Sequence, residues 1–106
     1  MAHSNNILIS GVGGPTPRSI ARSLHLSPLN VSLIGTDVNR LAYGLYEADL
    51  YSSTHVIPYA NQPDYWDTLF YLVKKHDIHF AMVQPEHEVL AWSKRAKEGL
   101  PLPCPT

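Results

Sequence analysis

The strongest constraint on how this chain folds lies near its start, where a buried strand, a glycine turn, a helix and a second buried strand follow one another. Ile7-Leu8-Ile9-Ser10 is a short unbroken apolar run, the pattern of a strand covered on both faces. Gly11-Val12-Gly13-Gly14-Pro15-Thr16-Pro17-Arg18 follows directly. Glycines in such a turn let the backbone bend sharply and bring its N–H groups close to a ligand, and the helix N-terminus behind them adds partial positive charge. The helix is predicted to begin near Thr16-Pro17, with Thr16 as N-cap and Pro17 at the first helical position. Ile20, Ala21 and Leu24 then fall on one face. Ser27-Pro28-Leu29-Asn30 breaks this helix and turns the chain into a second strand, Val31–Thr36, which ends on Asp37.

The rest of the chain continues the alternation. A third strand is predicted at Thr54–Ile57, stopped by Pro58 and placed at a sheet edge. Asp64 can cap a helix on which Trp66, Leu69, Phe70 and Val73 have helical spacing. A strand from Ile78 to Val83 ends at Gln84-Pro85, and a last helix runs from Glu86 to Lys97 with Val89, Trp92 and Ala96 on one side. Its acids come first and its bases last, as the helix dipole favours, and Gly99 closes it. This order predicts one α/β domain over residues 1–106: a Rossmann-like α/β/α sandwich of three layers, with a mostly parallel sheet of four to five strands. The next parallel strand barely begins in the proline-rich run Leu100–Thr106, so the chain reads as cut.

Composition excludes several classes. With 44% hydrophobic and 16% charged residues in 106, the chain is globular, and its net charge of −1 with no basic run argues against a nucleic-acid partner. Cys104 is the single cysteine, so no internal disulfide can form. Residues 1–6 lack the basic start of a signal peptide, and no run has the roughly 20 apolar residues of a membrane span. The expectation is a soluble cytoplasmic protein without a membrane or nucleic-acid partner.

The glycine loop is close to the dinucleotide pattern G-x-G-x-x-G without matching it. Gly11 and Gly13 occupy the first two positions, but Thr16 stands at the third, between two prolines. The third glycine of that pattern lets the helix pack tightly on the strand, so its loss weakens the case for a nicotinamide or flavin cofactor. The loop, Gly14 and Thr16 included, suits a phosphate, a carboxylate or another small-molecule substrate; it equally suits a turn that binds nothing. Arg18 would add a full positive charge to an anion site. Asp37 could accept from ribose hydroxyls or cap the turn at Val38-Asn39-Arg40.

A resemblance uses more of the chain. Ile7–Pro15 resembles the opening strand and G-x-G-G-P turn of ATP-grasp proteins similar to the carbamoyl-phosphate synthase large subunit. Gly35-Thr36-Asp37-Val38-Asn39, Ala42–Asp49, Val56-Ile57-Pro58 and Gln84–Leu90 resemble later segments of that family, in order and at similar spacing. The resemblance implies the pre-ATP-grasp domain, which shapes the substrate side of a ligase cleft. It also implies a parent that joins a carboxylate to an amine or ammonia through an acyl-phosphate, using ATP and Mg2+. The partners would then be C-terminal ATP-grasp domains absent from these residues. The chain alone would hold no cofactor, no metal and no catalytic residue, and would be inactive. A different class remains open: a stand-alone nucleotide- or dinucleotide-binding Rossmann module without catalysis.

Glu86-His87-Glu88 follows a strand's carboxyl end, where open α/β sheets place ligands. Glu86 and Glu88 could hold the amine of a substrate; the helix dipole explains two acids in a first turn with no ligand at all. Chelation by all three is poor geometry, because adjacent helical residues diverge by about 100°. His76-Asp77-Ile78-His79 spans a helix end and a strand start, so its side chains need not converge. Six tyrosines are many for this length; Tyr65 and Tyr71 read as packing on a helix, the others as cover for a crevice or for a further domain. An unfilled sheet edge predicts self-association, as a homodimer.

Overall fold

The computed structural model describes residues 5–28 and 30–96. Four parallel strands form one sheet in the order β3-β2-β1-β4: β1 Asn5–Ser10, β2 Val31–Asp37, β3 Ser53–Val56 and β4 Phe80–Met82. Three helices complete it: α1 Pro15–Leu26, α2 Tyr65–His76 and α3 Glu86–Ala96. The expected α/β class and parallel sheet are thus present, with β3 at an edge. The expected further strand, the closure at Gly99 and Cys104 lie outside the described residues.

The continuous apolar runs are continuous because both faces of the two central strands are covered. Leu8 pairs with Ile34 and with Ala81, and these three pack under α2 and α3 with Leu69, Leu72 and Trp92. Their neighbours Ile7, Ile9 and Leu33 face the other way, onto Ala21 of α1 and onto Leu50 and Tyr51. Leu8, Ile9, Leu33 and Ile34 are all at most 2% exposed. Burial on that scale contributes about 1.5–3 kcal/mol per side chain, which makes β1–β2 the centre of the fold.

Helix α1 starts two residues before the expected place. Gly14 is its N-cap and Pro15 its first residue, where a fixed φ and a missing N–H cost nothing. Thr16 is therefore inside the first turn and exposed, and Pro17 is buried with Ala21. Asp64 stands at the N-cap of α2 but makes no side-chain cap bond. The buried face of α2 is led by Tyr65, Leu69 and Leu72, with Trp66 and Val73 packed beside them. Its end is set by Asp77 in the left-handed region at φ 50, which sends the Ile78 N–H back to the Val73 carbonyl. That turn delays β4, so Ile78 is a buried approach and the ladder begins only at Phe80.

The connection from β2 to β3 carries no α-helix; residues 38–52 hold a single 3-10 turn at Tyr43–Tyr46. A close backbone approach fixes it. A Cβ on Gly44 would stand 2.0 Å from the Val12 carbonyl oxygen. Tyr51 is buried against the sheet, whereas Tyr43, Tyr46 and Tyr59 are exposed. Gly44→Ala should destabilise the domain by about 1–3 kcal/mol, since the clash is with backbone and cannot be relieved by a rotamer. Urea denaturation of the two proteins measures this, and equal midpoints would refute the close approach.

Candidate functional site

In this strand order the succession of strands runs outward from β1 to β3 and then switches to the other side of β1 with β4. Ligands of open α/β sheets bind outside the carboxyl ends of the strands at such a point. Here the glycine turn follows β1, Gln84-Pro85 follows β4 and Asp37 ends β2 at that point.

The turn is tightly held. Gly11 has φ +71, which favours glycine, and a Cβ there would meet the Pro85 ring at 2.7 Å. A Cβ on Gly13 would meet Ala42 at 2.9 Å. The Gly14 N–H donates to the Gly11 carbonyl at 3.0 Å, and the Val12 N–H to the Thr36 carbonyl at 3.2 Å. The Gly13 N–H donates to Asp37 Oδ2 at 3.0 Å, and Asp37 Oδ1 accepts from the Asn39 N–H at 2.9 Å. Of the two roles expected of Asp37, the structure shows the cap on the turn at Asn39; the other carboxylate oxygen ties that turn to the glycine loop. The anion at the second glycine is therefore an internal one.

Arg18 is paired with an acid outside this loop. Its Nε donates to both oxygens of Glu47, at 2.9 and 3.1 Å, and Glu47 is buried. The hydrogen bond that Arg18 donates to Glu47 raises the Arg18 pKa, so the guanidinium stays charged. Nearby, burial and the Glu47 charge push the Tyr51 hydroxyl up to about 12. Among the described residues, the Tyr51 hydroxyl and Thr36 Oγ1 are buried without a hydrogen-bond partner.

The two acids at the start of α3 separate. Glu86 is exposed, whereas Glu88 is 2% exposed. Trp92 Nε1 donates to the Tyr65 hydroxyl at 2.8 Å, and that hydroxyl donates to Glu88 Oε1 at 2.7 Å. Burial holds the Glu88 carboxyl above the usual range, with the bonds from Tyr65 and Ser10 opposing and the Asp37 charge adding. Ser10 Oγ also accepts from the Gln84 N–H at 3.2 Å. His87, between the acids, accepts at Nδ1 from the Ala60 N–H at 3.4 Å and packs on Tyr59. Tyr59, Ala60, His87 and Leu90 line a groove of about 310 Å³.

The expected site residues are thus brought to one end of the sheet in two sets. Gly11, Gly13, Gly14 and Asp37 form the turn, and Glu86 stands beside it after Pro85. Thr16 is an exposed helical residue, Arg18 is paired with Glu47, and Glu88 lies beneath the surface. Sequence reasoning missed Tyr65 and Trp92 as partners of Glu88 and Glu47 as partner of Arg18. A polar atom on an otherwise apolar helix face, as on Tyr65 and Trp92, was the available signal.

No protein-family model and no curated protein sequence matches the chain. Among solved structures, it is similar to dTDP-glucose 4,6-dehydratase from Bacillus anthracis, determined in complex with NAD. The two share 14% identity and a TM-score of 0.59, over 84% of this chain and 29% of that one. The fold is Rossmann-like. The chain spans under a third of that neighbour's length. No helix among the described residues is long and apolar enough to cross a membrane.

Burial raises the folded pKa of Glu88 above its unfolded value. The stability this carboxyl contributes is then fully present below the unfolded value, about 4.3, and is lost as pH rises through the folded one. Relative to Glu88→Gln, the wild-type protein should accordingly lose stability as pH rises from about 4 towards neutrality. Urea denaturation of both proteins across that range reads the difference; parallel curves would count against a buried, perturbed carboxyl.

Proposed function

We propose that this chain is the substrate-side α/β domain of an ATP-grasp ligase similar to the carbamoyl-phosphate synthase large subunit. The observation that supports this most is the internal use of the glycine turn. A dinucleotide site needs loop N–H groups free for the pyrophosphate and an acid free for the ribose. Here the Gly13 N–H and the Asp37 carboxylate satisfy each other, and Pro85 covers Gly11. Such a turn serves as a wall of a cleft. The ordered resemblance from Ile7 to Leu90 is the second support.

In this reading the parent uses ATP with Mg2+ to activate a carboxylate as an acyl-phosphate, and the residues that hold both lie in other domains. This chain contributes the exposed Glu86 and the groove at Tyr59, His87 and Leu90 to the substrate side, where a small amine or carboxylate substrate would sit. Tyr65 and Trp92 hold Glu88 beneath that surface, as support for the start of α3.

A second reading, a nucleotide-binding Rossmann module without catalysis, is favoured by one observation: the similar dehydratase was determined with NAD bound. Calorimetric titration separates the two. The expected outcome is no saturable binding of NAD+ or ADP to the chain. Saturable binding that is lost in Asp37→Ala would overturn the ligase reading in favour of the module. In the full-length parent, Glu86→Gln should raise KM for the amine or carboxylate several-fold with the KM for ATP unchanged. An unaltered substrate KM would remove Glu86 from the site.

A further inference from the structure

At the edge of the sheet, the fold brings together two histidines 21 positions apart. His55 lies on the edge strand β3, and His76 is the last residue of α2. Their Nε2 atoms are 2.9 Å apart, with ring centroids at 5.0 Å and planes inclined by 53°. Ser53 Oγ is 3.0 Å from the same His55 nitrogen. His79, which the sequence places three residues after His76, does not join them; its Nε2 is 3.4 Å from Asp77 Oδ2.

Two ring nitrogens at this separation share a proton: one neutral imidazole donates its Nε2–H to the lone pair of the other. Two imidazolium rings would each direct a proton into the same gap. Burial lowers the pKa of both rings. His76 and Lys75 lower that of His55 further, and Lys75 that of His76. Both rings are half-buried, within reach of solvent, and neutral at neutral pH. Neutral imidazole is the form that binds metal.

We propose that His55 and His76 form a two-imidazole site for a borderline divalent transition cation, with Zn2+ as the type ion, held between the two Nε2 atoms. Zinc–nitrogen bonds of about 2.0–2.1 Å in a tetrahedron place the nitrogens roughly 3.3 Å apart. The rings therefore need to separate by about 0.4 Å and to tilt so that both Nε2 lone pairs meet on the ion. The proton that bridged them moves through solvent to Nδ1 of the ring that carried it, so binding at neutral pH releases none. In acid each imidazolium must first lose one, and the metal is expelled. Among the described residues no third histidine, cysteine or carboxylate stands with the pair. The remaining positions belong to water, one of which Ser53 can hydrogen-bond. The Lys75 ammonium opposes the cation, which makes the site weaker than a closed structural one.

Calorimetric titration of Zn2+ into the chain at about pH 7.5, followed by NMR of the histidine rings, tests the site. Saturable one-to-one binding is expected, with the ring signals of His55 and His76 shifting together. His55→Ala and His76→Ala should each weaken it at least about tenfold, and His79→Ala should leave it unchanged. Lowering the pH to about 5.5 should weaken it by a similar factor. The ring signals are read on the wild-type chain, so the test stands even if a variant fails to fold. Absence of saturable binding, or binding that leaves the His55 and His76 signals in place, would overturn the proposal.

Discussion

The backbone at Val12 is gripped from several sides, and both faces of the sheet are positioned by that grip. Its N–H is bonded to the carboxyl end of β2, and its side chain is buried with Ile9 and Leu33. Its carbonyl lies against Gly44, which holds the helix-free connection down on the sheet. One residue on, the Gly13 N–H takes the Asp37 carboxylate, and one residue back, Gly11 receives the Pro85 ring. The ends of β1, β2 and β4 are thereby locked to one another. A turn with these partners has little freedom left to rearrange around a pyrophosphate, and its glycines are explained by close packing of the chain on itself.

The second organising contact is polar and buried. Trp92, Tyr65 and Glu88 form a chain of two hydrogen bonds that joins α2 to the first turn of α3. A buried carboxyl is costly unless hydrogen-bonded, and a satisfied network of this kind fixes one relative placement of the elements it joins. It also explains how two acids two positions apart come to differ. Glu86 keeps solvent and the helix dipole, whereas Glu88 is turned inward onto the Tyr65 hydroxyl of α2 and Ser10 of β1. What reaches solvent in the first turn of α3 is accordingly Glu86, with the groove at His87 close by in sequence.

Much of the architecture was legible in the residues themselves. Ile7–Ile9 and Val31–Thr36 are apolar without alternation because both their faces are covered, and Pro58 marks β3 as the edge strand it is. Helix boundaries were less legible, as at α1, where a glycine N-cap followed by proline replaced the threonine cap. The face of α2 was read one step aside. Trp66, Leu69, Phe70 and Val73 satisfy helical spacing, but the deepest residues are Tyr65, Leu69 and Leu72, because the position of α3 decides which stripe is covered.

The candidate site divides along the same line. Local chemistry alone determined that glycines would turn the chain after β1, that an acid would end β2, and that acids would open α3. These features depend on backbone geometry and dipoles within a few residues. Which of these groups face solvent and which satisfy one another was decided only by tertiary structure. Asp37 meets Gly13 across 24 positions, Arg18 meets Glu47 across 29, and His55 meets His76 across 21. Such pairings arise when separate strands and helices are stacked on a common core. No spacing along the chain encodes them, because the distance that matters is set by the sheet.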